Sequence, residues 1–112
     1  SENTVPTWSS VPANNVTILI GDTYNFTLEY ADPENIAGTF TYQLSSGSLG
    51  TNTLTTNNEN FSIVADQSAT FSLTTELILT EVLEVSDAPS LSVTINLRIL
   101  FPIKRYNFMQ IS

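Results

Sequence analysis

The chain has 112 residues, 41% of them hydrophobic and 12% charged, a size that suits one core and a composition too apolar for a disordered segment. Eleven acidic residues against three basic ones leave a net charge of −8, and the bases Arg98, Lys104 and Arg105 all lie near the end, so a phosphate backbone is excluded as a partner. Cysteine and histidine are both absent, which removes disulfides, thiolate metal sites and the usual catalytic base, and no apolar run approaches the roughly 18 residues that span a bilayer.

Period-two alternation, which sends successive side chains to opposite faces of a sheet, recurs along the chain. Val16 to Ile20 is a short first candidate strand. Tyr24, Phe26, Leu28 and Tyr30 then alternate with Asn25, Thr27 and Glu29, and Phe40, Tyr42 and Leu44 with Thr41 and Gln43. Ser48 to Thr55 and Phe61 to Val64 are further short strands. Phe71, Leu73, Leu77 and Leu79 share one parity, with Thr75 between them. Thr80 to Val85 reads as an extension of that strand or a separate edge, with Glu81 and Glu84 toward solvent. The longest series is Leu91, Val93, Ile95, Leu97, Ile99 and Phe101.

Turn residues separate these runs at Gly21-Asp22, Asp32 to Asn35, Ser45 to Gly47, Asn57 to Glu59, Asp66 to Ser68 and Asp87 to Pro89. About seven short strands with polar turns predict an all-β, two-sheet antiparallel Greek-key sandwich, immunoglobulin-like, with a small barrel as the alternative. Its expected core is Tyr24, Phe26, Leu28, Phe40, Tyr42, Phe71, Leu73, Val93, Ile95 and Leu97. Trp8 and Tyr30 are expected to plug one end. The sandwich occupies residues 1–103, and residues 104–112 form a C-terminal extension whose Tyr106, Phe108, Met109 and Ile111 have no place in seven strands. The chain starts at Ser1, as a processed product or a piece of a longer protein would.

Three segments carry a resemblance. Glu2-Asn3-Thr4-Val5-Pro6-Thr7-Trp8, Tyr30-Ala31-Asp32-Pro33-Glu34 with Thr39 to Tyr42, and Val85-Ser86-Asp87-Ala88-Pro89 with the strand after it resemble, in order, the linker, alanine-aspartate turn and closing strand of cadherin-like repeats. The likeness extends to dystroglycan-type and bacterial cadherin-like versions. In that family calcium often stiffens the junction between repeats, and the matching positions here are Glu2, Asn3, Asp32 and Asp87. Asn3-Thr4 stands where the family has Asp-Asn, so at least one carboxylate is missing. Turn capping is the simpler role for Asp32 and Asp87.

Catalysis has few parts to work with. Asp32 and Glu34 are the nearest carboxylate pair, but Pro33 between them favours a turn over a pocket. Asn15-Val16-Thr17, Asn25-Phe26-Thr27 and Asn60-Phe61-Ser62 are N-glycosylation sequons, at Asn15, Asn25 and Asn60, which a chain so rich in Asn, Ser and Thr also produces by chance. The expected function is a non-enzymatic structural or adhesive module, extracellular or at a cell surface, one unit of a fibre, filament or multi-repeat protein. It needs no cofactor, with calcium as an optional ligand. Its partners are other protein chains, copies of itself or neighbouring repeats, met through Arg98, Lys104, Arg105, Tyr106, Phe108 and Met109. The alternatives are a carbohydrate- or ligand-binding β-sandwich and a structural protein of a phage virion.

Overall fold

The computed structural model describes residues 6–32, 37–79 and 90–102. Within them the strands are β1 (Thr7–Ser10), β2 (Asn15–Leu19), β3 (Thr23–Thr27), β4 (Glu29–Ala31), β5 (Gly38–Gly47), β6 (Thr53–Asn57), β7 (Asn60–Val64), β8 (Ala69–Leu79) and β9 (Ser90–Leu100), and no helix occurs among the described residues. Hydrogen bonds order them as β2-β9-β8-β5, β3-β7-β6 and β1-β4. Only Leu28 separates β3 from β4, and its N–H donates to Glu59 O at 2.8 Å. The β1-β4 pair therefore continues the three-stranded sheet.

The strands alternate as their sequences require. On β8, Phe71, Leu73, Thr75, Leu77 and Leu79 are buried while Glu76 and Ile78 are exposed, and Ile95, Leu97 and Ile99 of β9 are buried beside them. Phe61 and Ile63 of β7 and Phe40 of β5 join the same core. Rings meet across the two layers: Tyr42 and Phe61 have centroids 5.7 Å apart, Tyr30 and Phe40 5.9 Å, and Trp8 and Phe40 6.1 Å, separations at which aromatic pairs attract. The arrangement is all-β, layered, and compatible with a sandwich. Of the expected core, Leu28, Phe40, Phe71, Leu73, Ile95 and Leu97 are buried and Tyr24, Phe26, Tyr42 and Val93 half-buried.

Three expectations change. Pairing is not antiparallel throughout, because β2 runs parallel to β9 from Asn15↔Asn96 to Leu19↔Leu100. Alternation assigns a face and says nothing of direction; direction follows here from residues 11–14, where buried Pro12 cannot extend a ladder and the chain passes to the other layer. Strand number rises because a separate β1 precedes β2 and Leu28 divides β3 from β4. Ser48 to Asn52 is loop, with β6 beginning only at Thr53. Gly47 (φ 77°) and Gly50 (φ 61°) turn the chain there; at Gly47 a Cβ would lie 2.2 Å from Thr70 O, so only glycine fits. Phe101, the last residue of the alternating series and one expected at or beyond the end of its strand, lies just past β9 and is 70% exposed.

Strand directions define two poles. We call proximal the pole at which β9 begins and distal the one at which it ends. β8 returns from distal (Ala69↔Ile99) to proximal (Ile78↔Ser90), and β5 rises again from Gly38↔Leu79 to Gly47↔Phe71. In the other layer the β6–β7 turn sits proximally, since Phe40 N–H donates to Asn58 Oδ1 at 3.3 Å.

Candidate functional site

At the proximal pole the indole N–H of Trp8 donates to Ser92 O at 3.1 Å, tying β1 in one layer to the start of β9 in the other. The chain thus enters the fold beside the first residues of its last strand. Between β4, the β6–β7 turn and the start of β5 lies a cleft of about 440 Å³ whose lining includes Leu28, Tyr30 and Phe40 together with Glu29 and Glu59. Asn58 shapes its wall. This residue takes a left-handed φ of 50°, which Asn tolerates better than most residues, and its Nδ2 donates to Glu59 Oε1 at 3.1 Å. Its carbonyl accepts the Tyr42 hydroxyl at 2.7 Å. Burial, and secondarily the Glu59 carboxylate, push the Tyr42 phenol up to about 12.

At the distal pole the apolar side chains face water. Leu19 and Leu100 are cross-strand partners, each 39% exposed, and Phe101 follows at 70%. Arg98, exposed on the outer face of β9, is the only cation among the described residues. Nearby, buried Asn52 clips two loops together: its Nδ2 donates to Leu49 O at 2.7 Å, while its Oδ1 accepts from Asp66 N at 2.7 Å and Gln67 N at 2.9 Å.

Hydroxyl and amide groups cover the outer faces. On the four-stranded sheet Ser72 Oγ donates to Asn96 Oδ1 at 2.7 Å, Asn96 Nδ2 to Asn15 Oδ1 at 3.3 Å, and Thr74 Oγ1 to Ser45 Oγ at 2.9 Å. On the three-stranded sheet two sequons lie in reciprocal register, Asn25↔Ser62 and Thr27↔Asn60. Thr27 Oγ1 donates to Asn60 Oδ1 at 2.5 Å, and the shallow groove there measures about 330 Å³. Asn15, Asn25 and Asn60 are all exposed.

Of the calcium positions inferred from sequence, Asp32 is buried at 7% exposure just after β4. Glu2, Asn3 and Asp87 lie outside the described residues, as do Glu34, Lys104, Arg105, Tyr106, Phe108 and Met109. Asp32 supplies one side chain where Ca²⁺ takes six to eight oxygens, and no group of three or more acidic side chains suited to a metal occurs among the described residues. The roles of Asn52 and Asn58 escape sequence reading. Asn58 stands in a recognisable turn, whereas nothing periodic marks Asn52. Compared with known proteins, the chain matches no family model and no curated sequence.

Proposed function

We propose that the chain is a non-enzymatic structural or adhesive module with an immunoglobulin-like Greek-key architecture, one unit of a surface fibre, filament or multi-repeat protein. The observation that carries this reading is polarity: Trp8 is pinned at the proximal pole and Phe101 leaves at the distal pole. Nine residues of β9, Ser92 to Leu100, separate the two, about 30 Å at about 3.3 Å each. A unit entered at one end and left at the other sets its neighbours in line. The split first segment, with β1 in one layer and β2 parallel to β9 in the other, supports the immunoglobulin-like assignment over a barrel. Exposed sequons and uncharged polar faces support an extracellular or cell-surface setting, with N-glycans on Asn25 and Asn60.

Small-angle X-ray scattering of the full chain over a wide concentration range tests the reading. Growth of the longest dimension at constant cross-section is the expected result; a monomer at every concentration, or thickening of the cross-section, would overturn assembly through the ends. The hydroxyl- and amide-lined groove beside Asn25 and Asn60 favours a second reading, a carbohydrate-binding module. Saturable binding to a glycan array, lost in Thr55→Arg, would favour that one.

A further inference from the structure

Arg98 makes no hydrogen bond or ion pair through its guanidinium among the described residues, although acids far outnumber bases in the chain. We infer that Arg98 and the hydroxyls and amides around it bind a sugar carboxylate, the acidic group of a uronic-acid or sialic-acid saccharide, on the outer face of the four-stranded sheet. The inference rests on the adhesive side of the module reading, gives it a ligand class, and uses neither end of the molecule.

β9 is an inner strand, so Arg98 stands within a sheet and not at its edge, with Thr17 of β2 and Thr70 of β8 directly opposite it on either side. One step toward the proximal pole the same outer face carries Asn15, Asn96 and Ser72 in register. These side chains line a trough of about 480 Å³, formed wholly by described residues and within the roughly 300–1,000 Å³ of small-ligand sites. An arginine fork takes a planar carboxylate through two parallel N–H bonds, and a guanidinium with no acid of its own keeps those donors for a ligand. The relay from Ser72 Oγ through the Asn96 amide to Asn15 Oδ1 leaves the Asn15 amide hydrogens as further donors. Neighbouring strands lie about 4.8 Å apart, so the Thr17 and Thr70 hydroxyls flank the fork and meet the hydroxyls that a saccharide carries beside its carboxylate. An acidic peptide brings the carboxylate without them. The net charge of −8 opposes an anion at a distance, but screening at physiological salt acts beyond about 8 Å. Glu76, the acid on this outer face among the described residues, stands six residues of β8 beyond Thr70, about 20 Å away. Asp22 and Asp66 lie in turns past the strand ends, where Asp22 O accepts from Ala65 N and Asp66 Oδ1 from Thr51 Oγ1. The glycans proposed on Asn25 and Asn60 stand on the other layer and leave this trough open.

Proton-nitrogen NMR titration of the full chain, produced without glycans so that Asn15 is bare, reads the site residue by residue. The probes are sialyllactose and a glucuronic-acid disaccharide, with lactose as the neutral control and N-acetylglutamate as a carboxylate without a sugar. Saturable shifts confined to residues 15–17, 70–72 and 96–98 with an acidic sugar, and none with lactose, are the expected result. Arg98→Gln, at an exposed position outside the core, should weaken that binding about tenfold or more, the size of a hot-spot loss. Arg98→Lys should restore only part of it, because a point charge lacks the fork. Thr17→Val leaves the charge in place and should weaken binding about threefold, for one lost hydrogen bond. No shifts with either acidic sugar, an equal response to N-acetylglutamate, or binding that Arg98→Gln leaves unchanged overturns the inference. Assembly through the chain ends is read separately by scattering, so this failure leaves the module reading standing.

Discussion

Tyr42 holds its phenol between the layers, donating to Asn58 O at 2.7 Å, with burial first and Glu59 second pushing its pKa up to about 12. In the unfolded chain the group ionises near 10. Below that pH both states keep the proton, so the contribution to stability is fully present; between about 10 and 12 the unfolded chain ionises first and stability falls. Burial raises Tyr24 as well, adding to the same alkaline loss. Urea midpoints should therefore be level from about pH 7 to 9 and drop above about 10. Tyr42→Phe should begin about 1 kcal/mol lower, for the lost hydrogen bond, and then lose less on the alkaline side. Parallel curves for the two proteins would refute the assignment. The environment of Tyr42 was only half legible in sequence: its inward parity is plain from Phe40, Tyr42 and Leu44, but its partner Asn58 comes from the other layer, sixteen residues away. Asn52 was not legible at all, because its partners Asp66 and Gln67 belong to a loop that approaches only after folding.

β8 and β9 show what alternation reveals. Their inward residues are separated from their outward ones by parity alone, and the register Phe71↔Leu97, Leu73↔Ile95 aligns the buried sets. A one-residue slip would expose all of them. Leu97→Ala, at a fully buried site, should cost about 2–5 kcal/mol. Thr94→Ala removes only an outer-face contact with Thr74 Oγ1 at 2.9 Å and should cost about 1 kcal/mol or less. Thermal or urea unfolding measures both; equal losses would mean that the strand has turned over. What alternation cannot carry is direction or interruption. Both the parallel run of β2 and the register shift between Leu44 and Ser46 in β5 depend on which neighbour a strand meets, a property of the three-dimensional path.

At the scale of the molecule, the sequence places its cations and its late aromatic residues together near one terminus, and the contact role expected there rests on that clustering. The cleft at the proximal pole has no such signature. It arises where β4 and β5 diverge around Asn58, and its lining comes from segments as far apart as Ser9 and Glu59. The parallel pairing of β2 and β9 has a mechanical consequence. Drawing the proximal and distal ends apart pulls neighbouring strands past each other along their length, so the Asn15–Leu19 ladder is loaded in shear and its bonds share the force at once. Peeled from one end, they would break singly. Optical tweezers with handles at residues 6 and 102 should record a higher rupture force than handles at residues 69 and 102, which start near the paired ends of β8 and β9 and open that pair bond by bond. Ile20 N–H donates to Leu100 O at 2.9 Å, and the period of two points the Val16 N–H to the same side, so Val16→Pro deletes a load-bearing bond. The rupture force of the end-to-end pull should fall in that variant; an unchanged force would place the resistance elsewhere.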